Sequence, residues 1–528
     1  MFPIPKIKTM KMLASGFLAI AIAGIAAGCD RRPRVGTEPE VMEETPQVES
    51  VAAIGEPEFT DSEITAAIKG EYALSRHLSG YDVNVETNQG IVILSGAVED
   101  LLAQERATRI AETIKGVRSV VNRVIVEPSD RTDLEIAEEV KTALKEDPAT
   151  EEWAIETAVN NGIVTLSGTV DSWQEKQLAA RVVKDVKGVR EVENQILVTY
   201  DETRAESDIA ADVRQALKWD ARVDAALIDV SVANDQVILS GTVGSAFEKS
   251  IAVSNAFVTG VDSVLAETLD VEPWAEDESL RKEAIADITD PNIREAINDA
   301  LRADPRVVAF NVDADVSNGI VTLSGTVDNL KAKRAAAQDA ANTTGVLDVR
   351  NEITVVPVDP ATDEEIAENL RNRISRSPYI DAEDVNVSVD EGIVTLSGTV
   401  DSYSEKWRAG DLATLTLGVT GAINNLQIEG QQLSYDRTFY DWDALDNGGD
   451  YSPAQKADAE LKQDIADQMA WSPFIDRDDI NISVNNGVAT LTGTVDSRYE
   501  HTQVLEETYE AGVIGAIDKL EVEGGQDL

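Results

Sequence analysis

GIVTLSG, Gly162 to Gly168, is the stretch that decides the fold, because the chain keeps returning to it. The same seven residues stand at Gly319 to Gly325 and at Gly392 to Gly398. Variants occupy Gly90 to Gly96 (GIVILSG), Gln236 to Gly241 (QVILSG) and Gly487 to Gly493 (GVATLTG). The closing glycines Gly96, Gly168, Gly241, Gly325, Gly398 and Gly493 lie 72, 73, 84, 73 and 95 residues apart, so each unit is a small domain rather than a solenoid turn. Six such units make an array, from which a single site is not expected.

Upstream of the phrase, alternations such as Val385/Val387/Val389 and Ile480/Ile482/Val484 predict a strand with one wet face. Asn161-Gly162, Asn318-Gly319 and Asn486-Gly487 supply the left-handed pair that a tight hairpin requires, and Glu391-Gly392 is a weaker version, which makes the phrase the second strand. In the third copy Asp235-Gln236 lacks the glycine, so a longer or strained turn is expected there. The Ser-Gly step is read as the end of the strand, where a missing side chain permits close backbone approach or strand exit. Before the alternation, stripes at i, i+4 and i+8, for example Ile136/Val140/Leu144 and Ile366/Leu370/Ile374, predict a helix with one apolar face. Thr60 with Glu63, Thr132 with Glu135 and Thr362 with Glu365 form capping boxes at its start. Pro148, Pro305, Pro378 and Pro473 stop it.

Downstream, Ser172 with Glu175, Ser245 with Glu248, Ser402 with Glu405 and Ser497 with Glu500 repeat the box spacing and open a second helix. Gly116, Gly188, Gly260, Gly345, Gly418 and Gly512, each followed by valine, are expected to cap its C-terminus. A last strand follows, as at Asn122 to Val126 and Gln195 to Val198. Each unit reads helix, strand, strand, helix, strand, with the helices on one face of a small sheet.

At these residues the sequence closely resembles the BON domain family, named for bacterial osmotically inducible periplasmic and nodulation proteins. The likeness rests on V-x-L-S/T-G followed by G-V and by V-x-N-x-I/L, seen as GIVTLSG, KGV and VENQIL in the second copy, and it covers most of Thr60 to Gly524. The third copy departs with Ala266-Glu267 where others have Asn, and the sixth with Thr492 and Asp518. The implied fold class is α+β: six tandem BON-like αββαβ modules, each with two helices on one face of a small mixed three-stranded sheet. The expected modules are 60–128, 132–200, 206–273, 290–357, 362–430 and 456–524, with spacers at 274–289 and 431–455. The resemblance implies an envelope-associated module that binds phospholipid headgroups or other proteins and preserves envelope integrity, with no catalytic centre and no cofactor.

The start of the chain indicates where the array lives. Lys6, Lys8 and Lys11 precede an uncharged run from Met12 to Gly28 that is short for a membrane span and ends in small residues, as a secretory signal does. Ala26-Ala27-Gly28-Cys29 resembles a bacterial lipobox, in which the cysteine is acylated; Cys29 is the only cysteine, so no intramolecular disulfide can form. An uncleaved short anchor is the alternative. Asp30, after the cysteine, resembles an inner-membrane retention signal and favours the periplasmic face of that membrane over the outer membrane. Asp30 to Glu58, rich in Glu, Pro, Val and Thr, reads as an acidic tether within 29–59.

The formal charge is −51, and removing Lys6, Lys8 and Lys11 with no acid takes it to −54. No basic stripe interleaved with aromatics is present, which argues against nucleic acid. An enzyme is also not expected. The two histidines, His77 and His501, sit in different repeats and read as exposed loop or helix residues, too few for a repeated triad or a His/Cys metal site. With 97 acids, paired carboxylates carry no information.

Two spacers break the pitch. Asp277/Arg281 and Glu278/Lys282 predict a short helical strut. Gln431 to Gln455 carries Tyr435, Phe439, Tyr440, Trp442 and Tyr451; such a segment either packs on a neighbouring domain or marks a partner site, and the first four are the candidate partner-binding residues. Arg106, Arg109, Lys331, Lys333 and Arg334, on second helices, are the candidates for lipid-headgroup contact. The expected protein is a non-enzymatic envelope lipoprotein, held to the membrane through acylated Cys29, whose modules bind envelope proteins or phospholipid. A soluble periplasmic chaperone-like protein of osmotic stress is the alternative, and a cell-wall hydrolase a remoter one.

Overall fold

Each hairpin closes on a two-residue turn whose first residue is left-handed: Gln89, Asn161, Asn234, Asn318, Glu391 and Asn486 have φ between 50° and 53°. A glycine with φ of 74° to 78° follows in five copies. In the third, Asp235 adopts φ 59° in its place, so that turn is strained but not longer. The computed structural model describes residues 59–75, 78, 81–128, 131–150, 153–200, 203–276, 288–357, 361–378, 380–400, 403–428, 456–513 and 515–523. The signal segment, Cys29, the tether, His77, the paired charges of the strut and the aromatics of 431–455 lie outside them.

Modules 1 to 6 are numbered by their first helices, Asp61–Leu74, Asp133–Glu146, Glu206–Trp219, Asp290–Ala303, Asp363–Arg376 and Asp458–Trp471. Their second helices are Leu101–Glu112, Trp173–Lys184, Ala246–Asn255, Leu330–Ala341, Tyr403–Thr414 and Arg498–Glu510. The phrase strand is central in the main sheet of every module, antiparallel to the strand before it and parallel to the strand that returns after the second helix. In module 2 the far ends, Thr169–Val170 and Leu197–Val198, pair as a separate two-stranded sheet. Val and Leu of V-x-L point at the helices: Val92, Leu94, Val164, Leu166, Val394 and Leu396 are fully buried. They meet helix stripes such as Ile366, Leu370 and Ile374 in the core. Modules 3, 4, 5 and 6 each centre on their own core, whereas modules 1 and 2 share one.

The phrase glycine does not end its strand. Ile393–Val400 runs straight through Gly398, as do the equivalents in modules 1, 3, 4 and 6; only in module 2 does the strand break, at Gly168. The Gly-Val glycines also differ from expectation. In module 1 the helix is capped at Thr113, and Gly116 lies beyond it in a separate turn closed by Val117 N–H to Ile114 O at 3.1 Å. Gly512 alone directly follows the C-cap residue, Ala511.

The V-x-N-x-I/L asparagine is a staple. The Asn194 amide donates to Lys176 O of the second helix at 2.7 Å while its Oδ1 accepts from Ile196 N, and Asn122, Asn351 and Asn424 do the same. Module 3, with Ala266-Glu267, bulges instead: Ile238 pairs with Leu265 but Ser240 with Thr268.

Candidate functional site at the module junctions

The repeated phrase builds the frame rather than a ligand site. A Cβ at Gly398 would stand 2.0 Å from the Asp384 carbonyl oxygen, and the other five phrase glycines face a backbone oxygen at 2.0 to 2.6 Å. Left-handed φ values of 113° to 140° at the six leave glycine as the residue that fits. The first residue of the first helix braces the hairpin from the other end. Asp133 accepts from Asn161 N and Gly162 N, both at 2.9 Å, and Asp61, Asp290, Asp363 and Asp458 do likewise. These two backbone hydrogen bonds hold the Asp61 and Asp133 carboxyls below the usual range.

Between modules, one contact recurs. The N–H of the residue before the Gly-Val glycine donates to the last carbonyl of another module's first helix: Lys115 to Trp471 at 3.0 Å, Lys187 to Arg376 at 3.0 Å and Thr344 to Trp219 at 2.9 Å. The pairs are therefore 1 with 6, 2 with 5 and 3 with 4, nested along the sequence. Trp471 packs against the core of modules 1 and 2, and Trp219 against that of module 4. The equivalent Arg376 is buried and pairs with Glu146 at 2.5 Å.

The basic residues singled out for lipid contact fall largely into these junctions. Lys331 is buried and binds both oxygens of buried Asp147, at 2.6 and 2.7 Å, joining module 4 to module 2. Arg334 binds Asp411 and Thr414 of module 5, at 2.6 and 2.7 Å. Arg106 binds Glu510 of module 6 at 2.5 Å and Ser75 at 2.9 Å. Lys333 is half-buried, and only Arg109 of the five is exposed.

Modules 3, 4 and 6 border a cleft of about 1410 Å³. Val223, Ile228, Leu347 and Phe474 give it apolar walls, and Lys218 and Arg477 lie among the charged groups around it. The Phe474 ring meets Phe247 of module 3 edge-on at 5.0 Å and Tyr499 at 5.5 Å. The module 1–6 junction gathers carboxylates: Glu71 accepts from the Gln468 amide at 3.2 Å, while Glu506, Glu507 and Glu510 project from module 6's second helix. Burial first, and then neighbouring Glu510, pushes Glu71 up to about 7.

His501 is not exposed. It lies buried on the second helix of module 6 with Nε2 2.8 Å from Asp518, the residue standing where other modules have the asparagine staple. Among the described residues no group of three or more His, Cys, Asp or Glu could hold a metal ion. Nor is any described helix long and apolar enough to cross a membrane. Sequence reading missed the hairpin-bracing aspartates and the carboxylate junction. The only signal for the former was an acid at one helix position in all six copies, Asp in five and Glu206 in the third, which a favourable helix dipole explains equally well.

The BON domain profile matches residues 60–128, 132–200, 205–272, 289–357, 362–430 and 457–523. The chain is 27% identical over 198 residues to osmotically-inducible protein Y of Escherichia coli strain K12, a match covering 36% of this chain and 96% of that protein. Two structures of CdsD, a structural protein of the Chlamydia trachomatis type III secretion system, match at 16% identity with TM-scores of 0.11. One, the C-terminal domain, covers 38% of this chain and 96% of its own, and the other 37% and 88%. Scores that low carry no weight for the function of this chain. Six matched segments span well over half of the sequence, so the chain belongs to the BON domain family, related to osmotically-inducible protein Y, and is not an enzyme.

Proposed function

We propose that this protein is a periplasmic binding protein of osmotic stress that holds envelope polypeptides in the manner of a chaperone. The observation that carries this reading is the likeness to osmotically-inducible protein Y across 96% of that protein's length. The cleft among modules 3, 4 and 6 is the proposed seat. Its volume exceeds the roughly 300–1,000 Å³ of small-molecule pockets, and apolar walls set among charged residues of both signs suit a peptide segment. A net charge of −51 disfavours an anionic bilayer as the principal partner, because each lysine near such a leaflet gains only about 1 kcal/mol.

The test is suppression of aggregation of a thermally unfolded periplasmic reporter by the full chain. Leu347→Glu, placing a charge on the cleft wall, is expected to abolish it while leaving the far-UV circular dichroism unchanged. Equal protection by both forms would overturn the assignment of the cleft.

The lipid anchor is a second reading, supported by the lipobox-like sequence ending at Cys29. A Cys29→Ser form should leave the membrane fraction; unchanged location and activity would reject the anchor. Flotation of that form with anionic vesicles separates the partner classes. Strong salt-sensitive binding, weakened by Arg109→Ala and unaffected by changing Tyr435, Phe439, Tyr440 and Trp442 to Ser, would favour headgroups over protein partners.

A further inference from the structure

Among the described residues, direct contacts bind module 6 to module 1: Lys115 N–H to Trp471 O at 3.0 Å, Arg106 to Glu510 at 2.5 Å, Gln468 to Glu71 at 3.2 Å, and the Phe59 and Trp471 rings with centroids 5.4 Å apart. The charges at this junction do not balance. Module 1 presents Glu71, Arg106 and Arg109. Module 6 brings Glu506, Glu507 and Glu510 from its second helix and Asp464 and Gln468 from its first, with Gln503 on Glu506 and Lys456 paired to Asp464 at 2.6 Å. Among the described residues, Arg106 and Arg109 thus stand among four glutamates, Glu71 of module 1 and Glu506, Glu507 and Glu510 of module 6. Closing the junction strips water from carboxylates that already repel one another, a cost that protonation removes and opening relieves.

We propose that the module 1–6 junction is a proton-operated clasp, closed in mild acid and released as the medium turns neutral to alkaline, freeing module 6 from module 1. Release separates Phe59 from Trp471 and breaks the Lys115 N–H to Trp471 O hydrogen bond. Glu506 and Glu510 keep exposed faces in the closed state, so the effect rests chiefly on half-buried Glu71 and Glu507. Burial is the largest cause of the rise at both, followed at Glu507 by the Glu510, Glu71 and Glu506 charges. A carboxyl whose proton is held more tightly in the closed state favours closure as pH falls. The window therefore runs from about 7 down to the ordinary 4.5 of glutamate, and above it the closed state carries the full repulsion.

The experiment is single-molecule energy transfer in the full chain carrying Cys29→Ser, with dyes on cysteines placed at exposed Asn84 and Thr494. The closed-to-open ratio is expected to fall by roughly tenfold or more between pH 5 and pH 8. Glu71→Gln with Glu507→Gln, which makes both groups permanently neutral, should stay closed at both values. Trp471→Ala should be open at both. A ratio independent of pH in the parent, or an undiminished pH response in the double glutamine form, would overturn the proposal. The parent titration alone decides the matter should either variant fail to fold.

Discussion

Gly398→Ala is expected to lower stability by about 3 kcal/mol, measured by urea unfolding, because the new Cβ would collide with Asp384 O and sit at φ +133°. The turn glycines were legible in the sequence because their constraint is local, and Asn-Gly says by itself what the next φ must be. The phrase glycines were read as strand ends because the carbonyl that crowds them, Asp384 O for Gly398, comes from the residue that leads into the neighbouring strand. Asp133 and Asp363 were not legible. Their partners are the N–H groups of residues 28 and 29 positions later, so the pairing exists only once the helix has crossed the hairpin. His501 shows the same limit. Asp518 was visible as a departure from Asn, but nothing along the chain pairs it with a histidine 17 residues earlier.

At the scale of elements, the helix stripes and the first-helix capping boxes at Thr60, Thr132 and Thr362 are present as read. The second-helix boxes at Ser172, Ser245 and Ser497 are only half of what the spacing promised, and Ser402 lies outside the described residues. Ser245 accepts from Glu248 N, but the Glu248 carboxylate reaches Gly244 N at 2.8 Å and, across the module, Asp224 N at 2.6 Å. Glu500 spans Asp496 and Asp476 in the same way. A buried carboxylate thus ties the second helix to the loop after the first. Glu248→Ala should orphan both amides and destabilise module 3 by about 2–3 kcal/mol, read as faster hydrogen exchange at Asp224 and Gly244. The spacing could announce the helix start but not this second use, since the loop amide shares no sequence pattern with it.

For the whole molecule, Lys331→Ala is expected to cost about 3–5 kcal/mol in thermal or urea unfolding, because Asp147 would remain buried without its counter-ion. Residues 132–200 cut out alone should fold weakly: they lose that pair, the Arg376 contact and a core shared with module 1. A fully unstructured fragment by circular dichroism would show that a module cannot close a core by itself. None of these junctions was legible, because six repeats of one plan offer no local cue to which one meets which. The nested pairing also sets a timetable. Docking partners are separated by 125 residues for Trp219 and Thr344, by 189 for Lys187 and Arg376, and by 356 for Lys115 and Trp471. Loop-closure entropy distinguishes the shortest from the longest by only about 1 kcal/mol, so it barely ranks them at equilibrium. Synthesis from the N-terminus ranks them firmly: modules 3 and 4 can dock first, 2 and 5 next, and module 1, the earliest made, waits longest for its partner. A ribosome that stalls before the sixth module therefore releases a chain whose oldest domain has an empty dock.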